Sequence, residues 1–229
     1  MKTIGLIGGM SWESTRLYYA LLNETVRTRL GGLHSADILL RSVDFAPVAA
    51  MQAAGEWEAA GRFLADVARG LEAAGAGVIG LATNTMHKVA PAITAAIGVP
   101  FVHIAEPTAE ALIGDGRRRP LLLATRFTME EAFYLGLLRD KGLGPVVPDA
   151  AGRAEVHRVI YEELCRGVVQ AASRRTYEAL IETAARNGAD SVILGCTEVC
   201  LLIGAENSAL PVYDTTALHV EALIDAALG

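Results

Sequence analysis

The sequence predicts an α/β protein made of two similar lobes, each a mostly parallel sheet flanked by helices. Short apolar runs of strand length recur along the 229 residues, and each is followed by turn residues and a longer amphipathic stretch. Strands that alternate with crossover helices form parallel sheets with both faces covered. Because 52% of the residues are hydrophobic and only 20% are charged, the chain has enough apolar surface for a large core.

The predicted strands are apolar and bounded by turn residues, and the predicted helices carry an apolar stripe. The strands span residues 3–7, 37–43, 77–81, 101–103, 120–124, 146–147, 191–194 and 211–213. The helices span residues 14–30, 56–74, 128–141, 154–169, 173–187 and 216–228. In the second helix the stripe consists of Phe63, Leu64, Val67, Leu71 and Ala74. Helix C-terminal caps are expected at Gly75, Gly142 and Gly188.

The two halves of the chain repeat one pattern. Residues 75–85 align with residues 188–198 at a constant offset, which pairs Thr83 with Cys196. Both segments follow an alanine-rich helix and place small polar residues directly after an apolar strand. The chain openings, 3–19 and 120–134, also match loosely. These agreements predict a duplicated α/β unit, with residues 1–98 and 214–229 in the first lobe and residues 99–213 in the second.

Composition and charge exclude several classes of function. The formal net charge is −6 and the basic run at 117–119 is short, so no nucleic-acid partner is expected. Uncharged stretches at 73–86 and 89–102 are shorter than the roughly 18 residues of a spanning helix, so no membrane partner is expected. The three cysteines have neither a disulfide framework nor zinc-site spacing, and the first apolar run is too short for a signal peptide. We therefore expect a cytoplasmic protein with reduced thiols.

Four polar turns follow predicted strands, at residues 8–11, 83–85, 125–128 and 196–198. In open parallel sheets, ligands bind beyond the carboxyl ends of the strands, where helix N-termini offer free N–H groups. Hydroxyls, an amide and N–H donors with few charges suit a small carboxylate ligand. The spacings of a dinucleotide fingerprint and of a phosphate loop are absent, so a nucleotide cofactor is not expected.

Cys196 is the strongest candidate for chemistry. It lies in a turn between Gly195 and Thr197, at a strand end, where the dipole of a following helix is expected to lower the thiol pKa from about 8.5 toward neutrality. Such a group can act as a general base near pH 7. The alternative is a buried, inert cysteine, which describes Cys165 and Cys200 better.

Three segments carry a resemblance to a known family. They read GGMSWEST at residues 8–15, TNTMH at 83–87 and LGCTE at 194–198, with shorter matches at 31–35, 125–129 and 214–216. Together they resemble the aspartate/glutamate racemase family, over nearly the whole chain. The resemblance implies two similar lobes related by pseudo-two-fold symmetry, an active site in the cleft between them, no cofactor, an acidic amino acid as substrate, and a homodimer.

The chain departs from the family at Thr83, where a first cysteine is usual. Inverting Cα requires a proton to leave one face and another to arrive on the opposite face, so two groups must flank the carbon. A threonine hydroxyl is a far weaker acid than a thiol, and a Thr83/Cys196 pair therefore predicts a racemase asymmetric in favour of one enantiomer. A degenerate two-lobed amino-acid binding protein and a sister isomerase or decarboxylase acting on maleate, a hydantoin or an arylmalonate are the alternatives.

The resemblance also implies substrate contacts. The binding residues that it implies are Met10, Gln52, Asn84, Thr85, Thr125 and Thr197. Glu198 is a further candidate, which either orients a substrate ammonium or simply begins a helix. The cations considered for a side-chain carboxylate are Arg41, Lys88 and Arg126. His87, four residues after Thr83, is either part of the ligand shell or a structural cap. The residues interpreted as packing or structural are Trp12, Trp57, His103, His157 and His219.

Overall fold

The structure, a computed structural model, describes residues 1–229 and divides them into two compact units. Unit 1 comprises Met1–His103 and His219–Gly229, and unit 2 comprises Ile104–Leu218. Each unit has its own parallel sheet flanked by helices, so the predicted α/β class is confirmed. Every helix is either too short or too polar to cross a membrane.

Unit 1 contains a four-stranded sheet. Its strands are β1 (Ile4–Gly8), β2 (Ile38–Ser42), β3 (Val78–Leu81) and β4 (Phe101–Val102). All neighbours are parallel, in the order β2-β1-β3-β4, and Ile4 lies opposite both Ile38 and Val78. The central strands β1 and β3 are buried along their whole length, which is why their sequences are continuous apolar runs. The last three residues of the edge strand β2 are exposed.

The helices of unit 1 are α1 (Trp12–Leu30), α2 (Phe45–Ala54), α3 (Trp57–Ala73) and α4 (Ala90–Thr94). The buried stripe of α3 is formed by Ala60, Leu64, Ala68 and Leu71. The predicted stripe was therefore wrong at Phe63 and Ala74, which are exposed. Small alanines face the sheet here, and a pattern based on the larger apolar residues misplaces the face.

Unit 2 contains a three-stranded sheet with the same topology. Its strands are β5 (Pro120–Ala124), β6 (Ser191–Gly195) and β7 (Val212–Asp214), parallel and in the order β5-β6-β7. The predicted strand at 146–147 is reduced to a single parallel bridge between Val146 and Leu121. Val146 thus lies beside β5 as β2 lies beside β1, while β6 and β7 correspond to β3 and β4. The sequence repeat therefore corresponds to a repeated topology.

The helices that begin in unit 2 are α5 (Ala105–Gly114), α6 (Arg126–Glu130), α7 (Ala132–Asp140), α8 (Ala150–Glu162), α9 (Ala171–Arg186) and α10 (Thr215–Leu228). The predicted helix 128–141 is broken at Glu131, whose backbone is extended, into α6 and α7. The predicted helix 154–169 ends at Glu162 and is followed by a 3₁₀ turn, Leu164–Arg166. Helices α2 and α5 were not predicted, because each has proline as its third residue and no clear apolar period.

Glycine caps precede two corresponding strands, β3 in unit 1 and β6 in unit 2. Gly75 has φ +103° and Gly188 has φ +88°, conformations that only glycine adopts at low cost. The residue after each cap donates its N–H back into the helix, Ala76 to Leu71 O at 3.0 Å and Ala189 to Ala184 O at 2.9 Å. The caps predicted at both glycines are confirmed, and the strands that follow them lead into the turns with Thr83 and Cys196.

Candidate active site

The predicted site residues of unit 1 lie at the carboxyl edge of its sheet. Met10 follows β1 and Thr83 follows β3, and because these strands are parallel neighbours their ends meet at one edge. Gln52 comes from α2, and its Nε2 lies 2.9 Å from Sδ of Met86, in the 3₁₀ helix Thr85–Val89. All the predicted unit 1 residues are buried: Met10, Gln52, Thr83, Asn84 and Thr85.

The turn that carries Met10 is held by its own backbone and by Thr15. Gly9 has φ +93°, and a Cβ there would overlap the backbone of Val43. The Gly9 N–H donates to Thr15 Oγ1 at 2.7 Å, and that hydroxyl donates to the Ser11 carbonyl at 2.8 Å. These contacts give a physical reason for glycine and threonine in the GGMSWEST segment.

Three imidazoles lie close together, and one of them contacts the backbone of the Thr83 turn. His87 Nδ1 is 2.8 Å from the Thr83 carbonyl oxygen, and the His87 ring centroid is 4.5 Å from that of His103 and 5.8 Å from that of His219. His219 bridges Val102 O, at 2.9 Å, and Tyr18 Oη, at 2.7 Å. Burial lowers the pKa of His103 and of His219 to about 4, and it lowers the pKa of His87 well below its ordinary value. All three rings are therefore neutral at pH 7.

The predicted site residues of unit 2 lie at the corresponding edge of the second sheet. Ala124 pairs with Gly195 at the ends of β5 and β6, and Thr125 and Cys196 follow directly. Thr125 Oγ1 lies 3.2 Å from Thr128 Oγ1, a hydroxyl pair that fixes the first turn of α6. The residues predicted for this unit are all buried: Thr125, Cys196, Thr197 and Glu198.

Cys196 has a carboxylate neighbour, and its pKa moves opposite to the prediction. The thiol donates to Glu198 Oε2 at 2.9 Å, and Thr197 Oγ1 donates to the same oxygen at 2.7 Å. Burial, followed by the charge of Glu198, raises the pKa of Cys196 well above its ordinary value. The prediction of a lowered pKa is wrong because the segment after Cys196 is only a five-residue 3₁₀ helix, Thr197–Leu201, whose dipole is outweighed. The resting thiol keeps its proton at neutral pH.

The three candidate cations occupy different places. Arg41 lies on the exposed end of β2, where it lines an open groove of about 630 Å³ with Phe63 and Asp66. Lys88 Nζ lies 3.7 Å from the centre of the Trp57 ring. Arg126 begins α6 directly after Thr125, at the same sheet edge as Cys196.

Two side chains of α8, His157 and Tyr161, lie near the turns of unit 2; His157 was predicted to be structural, and Tyr161 was not predicted as a site residue. His157, on α8, accepts the Arg126 N–H at 3.2 Å through Nδ1, and its ring centroid is 4.7 Å from that of Tyr161. Burial raises the pKa of Tyr161, and the nearby Cys165, Cys196 and Glu198 add to that shift. The four-residue spacing of His157 and Tyr161 on a predicted helix was the available signal. Trp12, interpreted as a packing residue, is 62% exposed, so that interpretation was wrong.

Comparison with known proteins extends these observations. A model of the Asp/Glu/hydantoin racemase family matches residues 7–223. A Yersinia pestis protein of known structure, provisionally assigned as an Asp/Glu racemase, is 48% identical over 100% of both chains, with a TM-score of 0.93. An aspartate racemase homologue from Pyrococcus horikoshii OT3 is 34% identical over 100% of both chains, with a TM-score of 0.87. The broad specificity amino-acid racemase RacX of Bacillus subtilis (strain 168) is 25% identical over 162 residues, 69% of this chain and 68% of the relative.

The parallel sheets and these matches define an enzyme of the amino-acid racemase class. The chain belongs to the Asp/Glu/hydantoin racemase family, as its sequence resemblance predicted.

Proposed function

We propose that this enzyme racemises aspartate or glutamate without a cofactor, with Cys196 serving one face of Cα and Thr83 the other. The observation that carries the proposal is that Thr83 and Cys196 occupy equivalent positions in the two units. Thr83 follows β3 and Cys196 follows β6, which are corresponding strands of the two sheets; each is buried in a polar turn, and the sequence repeat pairs them. The proposal requires both turns to reach one substrate, as the family resemblance implies. The relatives named as aspartate racemases support the choice of substrate.

Neutral donors and one cation account for substrate binding in this proposal. Asn84, Thr85 and Thr197 offer amide, hydroxyl and backbone donors in buried turns, where hydrogen bonds to the α-carboxylate are strong. For the side-chain carboxylate, Arg126 is the best placed of the three cations, because it shares a sheet edge with Cys196. Arg41 lines an outer groove instead, and Lys88 is held over Trp57.

Glu198 completes the chemistry at Cys196. A protonated thiol must lose its proton before it can remove one from Cα, and Glu198 Oε2 is the acceptor in contact with it, at 2.9 Å. The proton then moves from Sγ to the carboxylate, and the thiolate takes the Cα proton. In the opposite direction the thiol donates directly to the carbanion, and the thiolate that this leaves takes a proton from the Glu198 carboxylic acid. Solvent water carries the remaining proton from Glu198 to Thr83 after Thr83 has donated, and from Thr83 to Glu198 before Thr83 acts as a base, so that the resting enzyme is restored.

Thr83 makes the two half-reactions unequal. Its hydroxyl can donate a proton to a carbanion, but as a base it would have to form an alkoxide. Removal of the Cα proton is therefore fast on the Cys196 side and slow on the Thr83 side. Since the equilibrium constant of racemisation is one, this asymmetry appears in exchange of the Cα hydrogen with solvent, not in the final ratio of enantiomers.

The threonine at position 83 also favours a second candidate function, a binding protein that has lost turnover. Both candidates are tested by incubating the purified enzyme, without added cofactor and after dialysis against a metal chelator, with each enantiomer of aspartate and of glutamate in D₂O. Loss of the Cα hydrogen is followed by NMR and inversion by chiral chromatography, beside a binding measurement. We expect turnover that survives dialysis and is absent from Cys196→Ser. Cys200→Ser, four residues further along in the same unit, is the matched control.

Binding without exchange or inversion would refute the proposed racemisation and favour the binding protein. Turnover of a hydantoin or of maleate, with none of either amino acid, would instead support the sister isomerase. Activity that disappears on dialysis and returns with an added cofactor would refute cofactor independence.

A further inference from the structure

His87 is the residue whose role the sequence left open, and we infer that it is a positioning residue for Thr83. The inference rests on the proposed function, because it assigns His87 to the half-reaction that Thr83 performs. His87 does not touch the substrate in this scheme. It acts by fixing the peptide plane that joins Thr83 to Asn84.

The hydrogen bonds of the turn carry this inference. A carbonyl oxygen only accepts, so the 2.8 Å contact requires His87 to carry its hydrogen on Nδ1. The backbone N–H of His87 donates to the Asn84 carbonyl at 3.1 Å, and the Thr83 N–H donates to Leu81 O at 2.8 Å. Both backbone polar groups of Thr83 are therefore held, and without the imidazole its carbonyl would lose one partner.

The imidazole is itself held in place. Its residue is 1% exposed, and its ring packs edge-on against His103 and His219. His219 donates through Nε2 to Val102 O, which leaves its Nδ1 to accept the Tyr18 hydroxyl. A ring enclosed in this way has little room to turn over and exchange Nδ1 for a carbon, which favours the bond to Thr83.

The second unit shows that this support is specific to Thr83. The repeat places Cys200 where His87 stands, and the Cys200 thiol interacts with Asp214 rather than with the Cys196 carbonyl. The Cys196 carbonyl accepts the backbone N–H of Val199 at 3.0 Å, and Glu198 contacts the Cys196 sulfur. The two turns are thus supported by different side chains, and a change at His87 is expected to affect only one of them.

Two substitutions at His87 separate the effect of its N–H donor from the effect of its ring. His87→Asn keeps an N–H donor near the position of Nδ1 but removes the ring, whereas His87→Phe keeps a ring and removes the donor. In the D₂O assay we expect His87→Phe to slow inversion on the order of 10²-fold, the cost of a misplaced reacting group. Exchange of the Cα hydrogen by Cys196 should stay within about twofold of the wild-type rate, because the general acid–base role of Cys196 does not depend on His87. His87→Asn should recover most of the inversion.

The outcomes distinguish this inference from the proposed function. Inversion unchanged in folded His87→Phe, or exchange and inversion falling in parallel, would overturn the positioning role. If His87→Asn inverts the substrate slowly while His87→Phe inverts it at the wild-type rate, the effect comes from packing of the ring. That result would also overturn the positioning role. Wild-type protein with neither exchange nor inversion would refute the proposed function, and this inference with it. If neither variant folds, ¹⁵N NMR of the wild-type imidazole decides, because a hydrogen on Nε2 instead of Nδ1 would contradict the contact.

Discussion

The buried imidazoles of unit 1 predict a loss of stability in mild acid, and His219 gives the sharpest form of the test. Burial lowers the pKa of His219 from 6.5 to about 4. Below pH 6.5 the unfolded chain therefore binds a proton that the folded chain does not, so stability is full above that pH and is lost as the pH falls toward 4. The experiment compares the wild type with His219→Gln at pH 7 and at pH 5. Glutamine can donate to Val102 O and accept from the Tyr18 hydroxyl, but it does not titrate.

The magnitude follows from the two pKa values. At pH 5 an unfolded imidazole is almost fully protonated, while a folded one with a pKa of about 4 is mostly neutral. That difference amounts to about 2 kcal/mol, which is measurable against a typical stability of roughly 5–15 kcal/mol. We therefore expect the wild type to lose about 2 kcal/mol more than His219→Gln between pH 7 and pH 5.

Urea unfolding, followed by tryptophan fluorescence, measures this difference in the free energy of unfolding for unit 1, which contains His219. The chain has 2 tryptophans, and both Trp12 and Trp57 lie in unit 1 with the three imidazoles. His34→Gln, which replaces an exposed histidine of the same unit, is the matched control and should lose as much stability as the wild type. An equal loss in wild type and His219→Gln would refute the reasoning, because it would mean that His219 binds protons equally in the folded and unfolded states.

Three further predictions concern the two turns. Cys196→Ala should abolish turnover in the D₂O assay while the urea midpoint stays near wild type, and racemisation at the wild-type rate would remove Cys196 from the mechanism. Thr83→Cys should accelerate Cα–H exchange from the enantiomer that the natural enzyme uses poorly, by up to about 10²-fold, because it places a thiol on the second face of Cα. A folded variant that binds both enantiomers but exchanges neither of them faster would contradict the assignment of Thr83 and Cys196 to opposite faces. Glu198→Gln should lower kcat about 10²-fold or more because the proton acceptor is lost. It should also let iodoacetamide alkylate Cys196 at lower pH, because burial still raises the Cys196 pKa but the added effect of the Glu198 charge is gone. Unchanged kcat would exclude Glu198 as the acceptor.

Much of the fold was predictable because four of the strands, β1, β3, β5 and β6, are buried along their whole length. β1 and β5 are continuous apolar runs between turn residues, a pattern that needs no knowledge of distant contacts. Helix α2 was not predicted, because Pro47 and a nearly uniform apolar sequence hide its hydrophobic periodicity. Its start was nevertheless encoded, since Asp44 caps it by accepting the Ala46 N–H at 3.1 Å.

The turns that hold the candidate residues were predictable, but the electrostatics of those turns were not. Strand ends followed by polar turns marked Thr83 and Cys196, because parallel strands bring such turns to one edge. The pKa of Cys196 depends on how deeply its turn is buried and on where the Glu198 carboxylate points, and both are set by tertiary packing. The contact of His87 with the Thr83 carbonyl was suggested by a four-residue spacing, but the spacing did not specify which group the imidazole binds.

The ratio of Cα–H exchange to inversion, measured for each enantiomer in D₂O, shows whether Cys196 and Thr83 serve opposite faces of Cα. If the two groups act as proposed, a carbanion formed by Cys196 recovers deuterium from the same sulfur faster than it receives deuterium from the Thr83 hydroxyl. We predict that one enantiomer of the substrate exchanges faster than it inverts, while the other exchanges only as it inverts. Equal ratios for the two enantiomers, or exchange that persists in Cys196→Ala, would contradict the account.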